Sequence, residues 1–241
     1  MIQINNVTKT YGNGIKAVNN ISLNIKDGEI FGFLGPNGAG KTTTIKMLTG
    51  ILPLDKGDII INGKNISKEP LEVKKIIGYV SDNPNMFERL KGIEYLNFMA
   101  DIYNVSKKVR KEMIVKLGED FEMIDALNDK IQSYSHGMKQ KIVVMGVLLH
   151  KPDVWILDEP LTGLDPKSSY ILKKMMREHA KANKTVMFST HVLEVAEKVC
   201  DRIAVINKGE ILFVGTLAQM KEQGNIDSSL EKMFLEMTED E

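Results

Sequence analysis

Gly35-Pro36-Asn37-Gly38-Ala39-Gly40-Lys41-Thr42 lies between an apolar run, Ile30 to Leu34, and a helical pattern through Ile45, Met47, Leu48 and Ile51. A GxxxxGK[ST] string that follows a strand and opens a helix has the context of a phosphate-binding loop, or P-loop. Its glycines let backbone N–H groups turn inward onto phosphate oxygens, where side chains would intrude. The helix that follows adds unsatisfied N-terminal donors and the positive end of its dipole. Lys41 carries a point charge to the β- and γ-phosphates, and Thr42 offers a hydroxyl to Mg²⁺. With the adjoining Thr43, these residues are the candidate binding set for a nucleoside triphosphate.

A second stretch completes the chemistry. Val154-Trp155-Ile156-Leu157 is a continuous apolar run ending in Asp158-Glu159, the pattern of a buried parallel strand with acids at its carboxyl end. Asp158 is placed to hold Mg²⁺ opposite Thr42, and Glu159 to polarise the water that attacks the γ-phosphorus. Two acids at a strand end can also simply begin a solvated loop. A P-loop upstream makes the metal and catalytic pairing the expected one.

Bulk composition narrows the class. At 241 residues the chain can bury a sizeable core. Lysine plus arginine equals aspartate plus glutamate, 32 each, so no global field draws it to nucleic acid or anionic lipid. The single Cys200 excludes a disulfide framework within one chain and fits a reducing compartment. Residues 1–12 show no charged region followed by an apolar one, so no signal peptide is expected. No apolar run approaches the ~20 residues that span a bilayer. A soluble, intracellular protein is expected.

In chain order, residues 1–34 read mostly as strands: Ile2, Ile4 and Val7, then Ile21, Leu23 and Ile25 before an Asp27-Gly28 turn. Between them, Tyr11-Gly12-Asn13-Gly14 is a loop whose aromatic is a candidate to stack on a base, or to be half-buried filler. Asp55 to Asp58 reads as a turn, followed by Ile59-Ile60-Ile61 and an Asn62-Gly63 hairpin signal. Ile76 to Val80 reads as a strand. From about Glu88 to His150 the pattern turns helical, through Ile93, Leu96, Phe98, Met99, Val109, Met113 and Leu117. After Asp153 the alternation of strand and helix returns: a helix over Pro166 to Ala182, a strand over Thr185 to Phe188, a helix after His191, and strands at Ile203–Ile206 and Ile211–Val214. Ser228-x-x-Glu231 reads as a capping box for an amphipathic turn through Leu230, Met233, Phe234 and Met237, and Glu239-Asp240-Glu241 as a frayed tail.

Ser135-His136-Gly137-Met138-Lys139-Gln140-Lys141 resembles the signature sequence, usually written LSGGQ, of ATP-binding cassette (ABC) ATPases. It lies about twenty residues before Asp158-Glu159, as in that family. Residues 35–42 match the family's Walker A motif, Val154 to Asp158 its Walker B and Glu159 its catalytic glutamate. Tyr11 matches its adenine-stacking aromatic, Gly163-Leu164-Asp165 its D-loop, and Ser189-Thr190-His191 its switch histidine. The tail from Ser229 to Leu235 is similar to that of bacterial and archaeal export-type members. Each string is weak alone; six in the right order are specific, and the resemblance covers essentially the whole chain.

The resemblance implies an α/β fold: a P-loop NTPase core with a mixed sheet, an N-terminal antiparallel β-subdomain and an inserted α-helical subdomain. It implies one nucleotide-binding domain over 1–241, with 1–84 and 151–241 as ATPase core and 85–150 as the helical subdomain. It implies ATP and Mg²⁺ as ligands, with two domains meeting head to tail as a homodimer or pseudo-dimer. Each ATP would then lie between the P-loop of one and Ser135, Gly137 and Met138 of the other. His191 would contact the γ-phosphate and Glu159, and Asp165 would cross the interface. His150 and His179 are expected to be surface or core fillers. The absence of a span implies a separate integral-membrane permease, received near Met86, Phe87, Leu90, Tyr95, Phe98 and Met99, and a cytoplasmic location on the inner face of the membrane.

Two residues depart from the family's pattern. The Q-loop glutamine should follow Ile77-Gly78-Tyr79-Val80, where this chain has Ser81-Asp82-Asn83. Asp82, the best match, accepts but cannot donate a hydrogen bond while ionised, and remains a candidate ligand of Mg²⁺ or its water. His136 replaces a signature glycine; at an interface its protonation would alter closure near pH ~6–7. Two other readings stand beside the transporter ATPase. One is a soluble ABC ATPase acting on nucleic acid or ribosomes, although no basic segment or tandem cassette is present and no nucleic acid is expected. The other is a GTPase, since Asn207-Lys208-Gly209-Glu210 imitates the guanine-reading NKxD but ends in glutamate.

Overall fold

The computed structural model describes residues 1–12, 14–85, 87–223 and 230–238. The chain opens with β1 (Ile2–Thr10), β2 (Lys16–Ile25), β3 (Ile30–Leu34), α1 (Lys41–Leu48), β4 (Lys56–Ile61), β5 (Lys64–Asn65), α2 (Pro70–Ile76) and β6 (Ile77–Val80). A helical stretch follows: α3 (Gly92–Ile102), α4 (Lys107–Asp120), two short 3-10 turns and α5 (His136–Leu148). It then returns through β7 (Val154–Leu157), α6 (Pro166–Lys181), β8 (Thr185–Thr190), α7 (Leu193–Val199), β9 (Arg202–Asn207), β10 (Glu210–Gly215), α8 (Leu217–Gln223) and α9 (Leu230–Thr238).

The strands form two sheets. A four-stranded antiparallel sheet runs β2-β1-β4-β5, and a six-stranded sheet runs β10-β9-β3-β8-β7-β6. In the larger sheet β9, β3, β8, β7 and β6 are parallel and β10 turns back antiparallel. This is the mixed core with an N-terminal antiparallel sheet and an inserted helical stretch that the sequence implied. The central strands β3 and β7 are covered on both faces, which is why they are apolar without a polar alternate. Along β7, Trp155 and Leu157 face the helical side with Tyr95, Leu96 and Val144. Val154 and Ile156 face the other side with Ile4, Phe33 and Ile45. The C-terminal helix closes a third cluster, Met233 and Phe234 meeting Leu34, Leu193 and Val205. Among the described residues no helix is long and apolar enough to cross a membrane.

The expected turn at Asp55 to Asp58 is mostly strand. Asp55 is anchored by Lys9 Nζ and the Thr10 N–H, each at 2.7 Å, and β4 begins at the next residue, where Lys56 pairs with Thr8 across a bulge. Helices α2 and α8 were not foreseen: each is seven residues long, too short to show a periodic stripe. Several strands also run one or two residues beyond their apolar runs, β8 as far as Thr190. Asn13, Met86, the cap at Ser228, the tail match at Ser229 and the acidic finish lie outside the described residues.

His150 and His179 are fillers, as expected. The ring of His150 stacks on Tyr103 at 3.7 Å, and that of His179 meets buried Trp155 edge-on at 5.7 Å. Burial pushes His179 from the ordinary 6.5 down to about 4, the Lys184 charge adds to that fall, and a backbone hydrogen bond at Asp153 opposes it. Between these values the unfolded chain takes up a proton that the native chain refuses, so stability falls as pH drops through that window. The urea midpoint should therefore fall between pH ~7 and ~5, and His179→Gln should show a smaller fall over the same interval. Equal losses in the two proteins would place the pH sensitivity elsewhere.

Candidate nucleotide-binding and hydrolysis site

Strands β3, β8, β7 and β6 deliver their carboxyl ends to one edge of the sheet, and nearly every catalytic candidate leaves from one of them. The loop from Gly35 to Gly40 joins β3 to α1. Gly40 caps α1 at φ 110°, where a β-carbon would also stand 2.4 Å from the Ala17 carbonyl oxygen. The Gly209 N–H donates to Ala39 O at 2.9 Å, so the β9–β10 turn braces the loop from behind. This turn is the NKxD imitation. Asn207 donates its side-chain amide to Thr238 O and Glu210 accepts from Asn19, so its polar groups serve the fold and read no base.

Lys41 is almost fully buried. Its Nζ donates to Gly35 O at 2.7 Å and Pro36 O at 3.1 Å, and lies 3.7 Å from Glu159 Oε1. Burial pulls the ammonium below the ordinary lysine range, against the opposing pull of Glu159 and Asp158. Phosphate oxygens could replace both carbonyls without moving the charge out of the loop. Thr42 and Thr43 stand in the first turn of α1. The Tyr11 hydroxyl lies 3.4 Å from Thr43 Oγ1, and its ring, 44% exposed, is free to present a face beside the loop.

Asp158 is wholly buried at the end of β7. Its Oδ1 accepts from Ser189 Oγ, and the Thr42 hydroxyl approaches the same carboxylate. Its Oδ2 is enclosed without a hydrogen bond of ordinary geometry. Burial raises this carboxyl above the usual range, the Ser189 and Thr42 hydroxyls oppose that rise, and the charges of Asp82 and Glu159 add to it. An orphaned carboxylate oxygen beside a threonine hydroxyl is the hard-oxygen donor pair that suits Mg²⁺. Asp82 follows β6 within electrostatic reach of Asp158, its Oδ1 accepting from Ser81 Oγ at 3.0 Å. No group of three or more acidic, histidine or cysteine side chains poised for a metal occurs among the described residues.

Glu159 adopts φ 48°, a left-handed conformation costly for a residue with a side chain. Two hydrogen bonds and an ion pair surround it: its N–H donates to Ser189 Oγ at 3.0 Å, its Oε1 meets His191 Nδ1 at 3.0 Å, and Lys41 Nζ lies 3.7 Å from the same oxygen. One hydroxyl, Ser189 Oγ, therefore joins the Asp158 carboxylate to the Glu159 main chain. The sequence reading quoted it only as part of a matched string. Its signal was the polar Ser189-Thr190 pair ending an otherwise apolar strand.

Ser135, Gly137, Met138 and Asp165 gather in a second group, at the N-termini of α5 and α6. Ser135 Oγ caps α5 by accepting from the Met138 N–H at 3.2 Å, which leaves its own proton available to donate. Asp165, expected to cross an interface, engages both carboxylate oxygens within its own chain. Oδ1 accepts from the Ser168 N–H at 2.8 Å, and Oδ2 meets Ser168 Oγ at 2.7 Å and Lys141 Nζ at 2.9 Å. These bonds hold its carboxyl far below the usual range.

Ser189→Ala removes the acceptor that holds Glu159 and leaves the P-loop untouched. We expect kcat for ATP hydrolysis to fall about tenfold or more with ATP affinity nearly unchanged, measured by steady-state kinetics and calorimetry. Loss of affinity with kcat retained would count against this role.

A family model described as ABC transporter matches residues 18–162. An uncharacterized ABC transporter ATP-binding protein, YhcH, of Bacillus subtilis (strain 168) is 40% identical over 233 residues, covering 95% of this chain and 73% of that protein. A solved structure of the ATP binding subunit of an ABC transporter is similar with a TM-score of 0.93 at 29% identity, covering 99% of this chain and 100% of the other. A dimeric ATP-binding cassette in a post-hydrolysis state, bound to ADP and Pi, is similar with a TM-score of 0.82 at 26% identity, covering 90% of this chain and 99% of that one. Matched by the family over more than half its length, and carrying a P-loop lysine and a paired acid and histidine at one sheet edge, this chain belongs to the ABC transporter family as one of its ATP-binding, ATP-hydrolysing subunits.

Proposed function

We propose that the chain works as one of a pair of ATPase subunits of an export-type transporter, attached to a separate permease at the cytoplasmic face of the membrane. In this reading 1–84 and 151–241 form the ATPase core and 85–150 the helical subdomain that meets the permease. The supporting observation is the division of the candidate residues into two groups. The P-loop, Asp158, Glu159 and His191 form one; Ser135, Gly137 and Met138 form the other, at the exposed N-terminus of a helix. Each chain then carries half of each of two sites, and a head-to-tail pair completes both.

Within a completed site, Glu159 orients a water toward the γ-phosphorus and draws off its proton as the new oxygen–phosphorus bond forms and the bond to the bridging oxygen breaks. Lys41 and the loop N–H groups stabilise charge on the phosphate oxygens. His191, whose Nδ1 is engaged by Glu159, presents Nε2 toward the γ-phosphate. Thr42, Asp158 and Asp82 would hold Mg²⁺, which would supply positive charge beside the phosphates. Loss of the γ-phosphate removes the contacts that favour the closed pair, so hydrolysis reopens it.

The permease is assigned to the surface around Phe87 and Phe98. Each is 42% exposed, their rings stand 5.5 Å apart, and they border a groove of about 610 Å³ with Asn85, Glu88 and Leu90. Tyr95, expected at the same surface, is instead core, 2% exposed.

Glu159→Gln should bind ATP-Mg²⁺ without turning it over, and its mass by light scattering should double when ATP is added. A variant that binds ATP yet stays monomeric would count against the paired site. Wild-type protein should co-purify with a polytopic membrane protein; recovery with RNA or ribosomes would favour the soluble ATPase reading.

A further inference from the structure

His136 stands where the family's signature carries glycine, at the first residue of α5. Its imidazole lies directly over the α-carbon of Gly163, where a β-carbon would stand 2.3 Å from His136 Cδ2 and 3.1 Å from Nε2. Gly163 adopts φ 77°, so the chain there already requires glycine on backbone grounds. The Gly163 carbonyl is approached by α5 as well: a β-carbon on Gly137 would stand 2.6 Å from Gly163 O. One turn further along α5, Gln140 Nε2 reaches Pro160 O at 3.5 Å and Lys141 Nζ pairs with Asp165 Oδ2. Positions 136, 137, 140 and 141 share one helix face. That face grips the loop running from Glu159 to Asp165 at Pro160, Gly163 and Asp165.

The four contacts are unequal. The Gln140 bond is long, and the Asp165 carboxylate is half exposed, so water screens its pairing with Lys141. The two approaches at Gly163 are close, and the ring of His136, itself an exposed residue, provides the side-chain atoms on the α5 side. With glycine at 136 the loop would lose the body that packs against it.

We propose that His136 is a positioning residue for Glu159: its ring pins Gly163 against α5, so that the helix that meets the partner's ATP and the carboxylate that hydrolyses its own ATP move as one body. Phosphate engaged at Ser135 and Gly137 of one chain then holds Glu159 of that same chain in place, and each site senses whether the other is occupied. The inference rests on the proposed role of Glu159 and goes beyond it by naming what sets that residue's position.

The test uses the full chain with ATP and Mg²⁺. His136→Gly should lower kcat about tenfold, with ATP affinity and, on the Glu159→Gln background, ATP-dependent association unchanged. His136→Phe keeps a ring of similar size without charge or hydrogen-bonding atoms and should restore kcat to within about threefold of wild type. Gly163→Ala carries the same backbone strain in either background but meets the ring only where His136 is present, so its penalty in kcat should be larger in wild type than in His136→Gly. Unchanged kcat in His136→Gly, failure of phenylalanine to restore it, or equal Gly163→Ala penalties would each overturn the proposal. A Glu159→Gln variant that hydrolyses ATP at the wild-type rate would instead remove the reading beneath it.

Discussion

A lysine ammonium and an aspartate carboxylate lie buried together at the carboxyl edge of the larger sheet, Lys41 6% and Asp158 0% exposed. Either charge alone in that position would cost several kcal/mol. Together, with main-chain carbonyls around the ammonium and hydroxyls around the carboxylate, they are tolerated at a place where no apolar pair could serve a phosphate. The rest of the fold holds this arrangement rigid. β3 and β7 are separated by β8, which contributes Ser189 between the Asp158 carboxylate and the Glu159 amide. Apolar clusters pack on both faces of the sheet's central strands.

The same geometry separates binding from hydrolysis. Gly35 to Thr43 can cradle phosphates using groups local to one turn. Glu159 depends on its neighbours: it sits in a strained backbone conformation, its amide tied to Ser189, its carboxylate to His191 and Lys41. Such strain persists only where surroundings over-determine it. On one side those surroundings are strand β8; on the other they are the first turns of α5, through the loop that ends at Asp165.

Much of this was legible in one dimension. The P-loop could be read because its chemistry is contiguous: strand, glycines, lysine and helix cap follow one another. β7 and its acids were legible for the same reason, as were the helical stretch between β6 and β7 and the Asn62-Gly63 hairpin. Residues whose role arises between distant segments were harder to read. Ser189 is an ordinary serine until β8 sets it beside β7. Tyr95 and Phe98 carry similar apolar character, and only packing makes the first core and leaves the second exposed. Asp165 caps its own helix through Ser168, but its bond to Lys141 of α5 exists only once the N-termini of α5 and α6 come together.

The amino-acid sequence by itself therefore determined the phosphate-binding loop and the order of the longer strands and helices, though not the seven-residue α2 and α8. These follow from local spacing, and local spacing is written along the chain. Tertiary structure decided which hydroxyl joins Asp158 to Glu159, which aromatics remain exposed, and that His136 lies over Gly163. Each is a contact between segments well apart in sequence, and such contacts exist only once the sheet order and helix packing bring those segments together.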